Sequence, residues 1–101
     1  MASQKAQAKE NIVELAEDVI ASKAEEISAK IVQAVAKDTG NLVLDFSDVD
    51  NIDAIGLGII VAACNTLKKK EGMLTLINVS DELCGFFNAL RLDQAFEVRS
   101  K

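Results

Sequence analysis

A chain of 101 residues, half of them hydrophobic, has the size of one domain and enough apolar material for a core. A net charge of −5 repels nucleic acid and anionic membranes, and four Phe with no Trp or Tyr offer no platform for stacking bases. The charge therefore points to a protein or a small molecule as partner, and the absence of His, which removes the usual general base and the commonest metal ligand together, excludes much enzymology.

The opening residues 1–10 are polar, without an apolar stretch of signal-peptide type, and read as a lead-in to a domain covering 11–101. Residues 11–17 carry Ile12, Val13 and Leu15 between polar neighbours and predict a short strand. Ser22 with Glu25 three residues on has capping-box spacing, so a helix is expected to start there. Ala24, Ile27, Ile31 and Ala34 or Val35 would form its buried stripe. Lys23, Glu26, Lys30 and Lys37 would face out, with Glu26 and Lys30 as an i,i+4 pair. Gly40, after Asp38 and Thr39, is the expected C-cap.

Leu42, Val43, Leu44 and Phe46 form a nearly continuous apolar run, the mark of a central strand covered on both faces. The chain then passes an acidic loop and enters a helix for which Asp53 is the natural N-cap. Leu57, Ile60 or Val61, Cys64 and Leu67 supply the inward side of that helix. Lys68, Lys69 and Lys70 close it at the negative end of its dipole, and Gly72 stops it. Residues 73–79 read as a third strand. Ser80 caps a third helix, with Asp81 and Glu82 in its first turn and Leu83, Phe86 or Phe87, and Leu90 on its inner side. A turn at Asp93 and Gln94 leads to a short strand over 96–99. Strands alternating with crossover helices predict a small α/β domain with a mixed or mostly parallel sheet, its helices on one face or on both.

The motifs that carry chemistry elsewhere are incomplete here. Gly56-Leu57-Gly58 follows a strand and opens a helix, but Val61 stands at the third position of a dinucleotide fingerprint and no G-K-[ST] is present. These glycines are expected to serve close helix-to-sheet packing. Residues 48–53 lack the spacing, glycine and closing glutamate of a calcium loop. Cys64 and Cys84 are neither a C-x-x-C pair nor a disulfide framework and read as two reduced core thiols. No apolar run approaches the roughly 20 residues of a membrane span. The reading is a non-catalytic chain in a reducing cytoplasm, with no cofactor, no metal and no direct membrane insertion.

The stretch L-V-L-D-F-S-D-V-x-x-I-D-x-x-G-L-G, residues 42–58, resembles the core motif of the STAS domain, the fold of the bacterial anti-sigma factor antagonists. Compatible flanks extend the resemblance over residues 11–99. It implies a single small sheet with helices packed against it and a partner-binding junction formed by Asp53, Ala54, Ile55, Gly56, Leu57 and Gly58. The implied partner is an anti-sigma factor of the serine kinase type, which in the family phosphorylates a Ser or Thr in that junction. An alternative is a STAS subunit that contacts an ABC ATPase in a transport complex. Where the family has D-S-S-G-L or D-S-T-G-L, this chain has Asp53-Ala54-Ile55-Gly56-Leu57. The position matching the phospho-acceptor is Ile55, which has no hydroxyl, and Ser47 is the nearby alternative. A second departure lies near Ile20, where the family often has an acidic residue after its early strand. The implied function is a protein-interaction module that is not switched by phosphorylation at this junction.

Overall fold

In the computed structural model, which describes residues 11–36 and 40–101, four parallel strands form one sheet in the order β1-β2-β3-β4. The elements are β1 (Ile12–Glu14), α1 (Ala24–Val35), β2 (Asn41–Asp45), α2 (Ala54–Lys69), β3 (Met73–Val79), α3 (Asp81–Ala89) and β4 (Glu97–Ser100). Every helix joins neighbouring strands, and every crossover steps in the same direction. With the usual right hand, such crossovers all lie on one face, which settles the question the pattern left open. The polar lead-in and the outward setting of Lys37 fall outside the described residues, as do Asp38 and Thr39.

β2 is central, paired with β1 on one side and β3 on the other. It is not covered on both faces. Leu42 and Leu44 are fully buried under the helices, whereas Val43 is half-buried on the other side. That side is lined by Ile12, Val43, Met73, Thr75 and Ile77, of which Ile12 and Met73 are about half exposed. The apolar run therefore marks one buried and one open face. In β3 the alternation breaks at Asn78, whose φ of 56° is left-handed. The register against β4 shifts between Leu76 and Val79, so Val79 is buried out of phase.

A single core joins the inner face of the sheet to all three helices, through Ile27 and Ile31 of α1, Ile60 and Leu67 of α2, and Leu83 and Phe87 of α3. Phe87 packs edge-on against Phe46 at 6.2 Å and Phe96 at 5.8 Å. This decides between the two adjacent phenylalanines: Phe87 is the core residue, Phe86 is 37% exposed, and Leu90 is exposed beyond the helix end. Cys64 is buried, while Cys84 is only partly so, with its thiol raised by burial and then by the nearby Asp81 carboxylate. Among the described residues no helix is long and apolar enough to cross a membrane.

Several helix ends differ from the sequence expectation. Ser22 lies in a 3-10 turn (Ala21–Lys23), and α1 begins at Ala24 with Lys23 as N-cap and no side-chain cap bond, so the capping box is not made. Ala24 is half-buried rather than part of the core stripe, and Glu26 and Lys30 do not come within ion-pair distance. The first strand is three residues long, shorter than 11–17. Asn11 precedes it, buried, with its amide donating to the Ala34 carbonyl at 2.7 Å. Gly40 is left-handed (φ 79°), but it leads into β2 and is not the C-cap of α1, which is Ala36. At the end of α2 the left-handed residue is Glu71 (φ 61°), not Gly72. Gly72 is required for another reason: a Cβ there would meet the Gly40 carbonyl oxygen at 1.3 Å.

Candidate functional site

The junction is built by two loops that brace each other. The chain after β1 pairs with the acidic loop through a parallel bridge, Val19 to Ile52. Val19 N–H donates to the Asn51 carbonyl at 3.0 Å, and Asp53 N–H donates to the Val19 carbonyl at 3.2 Å. Two carboxylates then cross between the loops in opposite directions. Asp18 accepts the backbone N–H groups of Asp50 (2.9 Å) and Asn51 (3.2 Å) on one oxygen and the Asn51 side-chain amide (3.2 Å) on the other. Asp53 accepts Gly56 N–H at 2.9 Å, the expected N-cap of α2, and with its second oxygen accepts Ala21 N–H at 2.9 Å.

These bonds favour the ionised acids. Asp18 is held below the usual carboxylate range chiefly by the Asp50 N–H, then by the Asn51 side chain. Asp53 is lowered first by the Gly56 N–H and then by that of Ala21. Asp45, at the end of β2, is lowered by the Asn78 side-chain amide and then by the Ser47 N–H. Ser47 Oγ also donates to Asp45, at 2.9 Å. The sequence placed Asp53 correctly, because an N-cap is a local feature. Asp18 was missed, since its partners lie across the fold and no spacing connects them.

The six residues expected to bind a partner do not form one uniform surface. Ala54, Ile55 and Gly58 are exposed, Asp53 and Leu57 are half-buried, and Gly56 is buried. Gly56 is a packing residue: a Cβ there would lie 1.9 Å from the Val19 carbonyl oxygen and 2.6 Å from its carbon. Gly58 faces open space, and a Cβ added there would have nothing within 4 Å. Close packing therefore explains the first glycine and not the second. Ile55 is 55% exposed, one of six large apolar side chains exposed among the described residues, and it heads a groove between α1 and α2. That groove has a volume of about 570 Å³ and contains Val32, which is 61% exposed. What the surface offers is an apolar contact beside an acidic loop braced by the hydrogen bonds to Asp18 and Asp53.

A family model for the STAS domain matches residues 3–101. An anti-sigma-B factor antagonist of Listeria monocytogenes is 30% identical over 57 residues, 56% of this chain and 50% of the relative. The match thus spans about half the length of that relative. Among solved structures, an anti-sigma factor antagonist candidate from Thermotoga maritima superposes with a TM-score of 0.78 at 19% identity, over 90% of this chain and 80% of that one. A sulfate transporter family protein from Wolinella succinogenes gives 0.75 at 20% identity, over 90% and 76%. At these identities the two structures speak to the fold alone.

Proposed function

The chain belongs to the STAS domain family, and from that premise we propose that it is a non-catalytic interaction module of the anti-sigma factor antagonist type. Its contact is centred on the exposed part of residues 53–58 and on Ile55 above all. The partner is an anti-sigma factor of the serine kinase class. The observation that carries this reading is the exposure of Ile55 on the first turn of α2. A partner that buried it fully would gain roughly 1.5–3 kcal/mol from that side chain, discounted by the fraction already covered. A phosphoryl group there would instead bring about −1.5 to −2 charges into the contact. Ile55 cannot accept one, so binding through this junction is not switched at this position.

The test is affinity capture with the wild-type chain and with Ile55→Asp as parallel baits. Ile55 is exposed, and an acidic residue in the first turn of a helix suits the dipole, so the variant keeps its fold. An anti-sigma factor kinase held by the wild type and lost by the variant supports the proposal. The same partners on both baits overturn it, and an ABC ATPase in place of the kinase redirects it to a transport complex. Incubation of the captured kinase with ATP, read by mass spectrometry, addresses the switch: stoichiometric phosphate on Ser47 or another hydroxyl refutes an unswitched surface.

A further inference from the structure

The groove headed by Ile55 continues into a second depression at the N-terminal end of α1, with which it shares Ser28, Val32, Ile55 and Ile59, and among the described residues the joint lining carries Glu25 at one end and Lys70 at the other. The two helices are parallel: Ala24 and Glu25 of α1 lie with Ile55 at one end, while Lys70, after α2, donates to the Val35 carbonyl at 2.6 Å at the other. Between these ends the groove presents Val32, Ile59, Gly58 and Ala62, a protruding valine beside a floor of small residues. We infer that this groove is the contact surface of a symmetric homodimer, in which a second copy of the chain lies antiparallel across it.

Self-complementarity is the reason to name a second copy. A two-fold axis perpendicular to the groove sets Glu25 of each copy against Lys70 of the other, giving two opposite-charge contacts from one pair of residues. Lys70 spends one of its three ammonium protons on the Val35 carbonyl and has others to offer. The same axis makes the helix dipoles antiparallel, since the N-terminal ends of α1 and α2 share one end of the groove. Ile55 of one copy then lies toward the end lined by Ala36 and Thr66 of the other, and Val32, in the C-terminal half of α1, projects from the groove into the contact. The net charge of −5 opposes association of two copies in general, and that repulsion is weakest across a nearly neutral apolar strip such as this one. An acyl chain with a carboxylate head would match Lys70 but would offer nothing to Glu25. On the function proposed above, Ile55 belongs to both surfaces, so dimer and partner complex exclude each other. Self-association is then the means of masking a junction that has no hydroxyl to modify.

Sedimentation velocity of the full chain, alone, from micromolar to submillimolar concentration tests the dimer without any partner present, so its failure leaves the partner contact standing. The wild type is expected to show a monomer–dimer equilibrium and Val32→Glu a monomer throughout; Val32 is 61% exposed, so its replacement leaves the fold intact. Glu25→Lys and Lys70→Glu should each raise the dimer Kd about tenfold, as two symmetric surface pairs turn repulsive. The double variant restores wild-type affinity by exchanging the charges. A wild type that stays monomeric, a dimer that survives Val32→Glu, or a double variant no tighter than the single ones each overturns the inference. A monomer whose groove binds oleate would assign it to an acyl ligand and overturn it as well.

Discussion

Gly56 and Gly58 are two residues apart on α2, and the structure predicts opposite outcomes for the same substitution. Alanine is better than glycine in a helix interior by about 1 kcal/mol. At Gly58 nothing opposes that gain, because the added methyl group meets no atom within 4 Å. At Gly56 it would stand 1.9 Å from the Val19 carbonyl oxygen, where even close C···O contacts keep about 3.3 Å. The neighbour cannot give way cheaply, since it is backbone. Val19 is fully buried and held by the bonds to Asn51 and from Asp53, at 3.0 and 3.2 Å. Displacing it forfeits two hydrogen bonds of about 1 kcal/mol each, and overpacking adds about 1–3 kcal/mol. Against the propensity gain, the net loss for Gly56→Ala is about 2–4 kcal/mol, a large part of the ~5–15 kcal/mol that stabilises a domain of this size. Urea denaturation followed by far-UV circular dichroism measures it, with Gly58→Ala as the partner experiment, expected to be as stable as the wild type or up to about 1 kcal/mol more so. A Gly56→Ala variant as stable as Gly58→Ala would show that the close approach of α2 to the Val19 loop is not what the junction is built on.

Asp18 and Asp45 have carboxyl groups lowered in the folded state from an unfolded value near 3.8. Between the folded and unfolded values the unfolded chain binds more protons, so their contribution is complete above the unfolded value and is lost as pH falls through the folded one. Stability should decline below about pH 4, and Asp18→Asn should flatten that decline; an unchanged acid limb in thermal melts at stepped pH would refute the role given to Asp18. At Glu71, left-handed backbone (φ 61°) costs a non-glycine residue about 1–2 kcal/mol. Glycine removes that cost but adds unfolded-chain entropy, so Glu71→Gly should stabilise by about 0.5–1 kcal/mol, and a lowered Tm would count against the assignment.

What the sequence determined by itself was local: the order of strands and helices, the bounds of β3, the N-caps Asp53 and Ser80, and Cys64 and Leu67 as inward residues of α2. Cap chemistry and helical spacing act over a few residues, so they are legible without the fold. The family resemblance in residues 42–58 was legible for the same reason, as one unbroken stretch. Decisions that set distant segments side by side were not. A continuous apolar run cannot say that β2 has an open face, because burial of Val43 depends on what lies across the sheet. The capping-box spacing at Ser22 lost to a 3-10 turn whose Ala21 N–H is taken by Asp53 from the other loop. The site itself divides along this line. Ile55 was found as a departure from a motif, but its exposure, the burial of Gly56 against Val19 and the brace from Asp18 come from packing two loops that the chain separates by a helix and a strand, and only the folded backbone brings those atoms within reach.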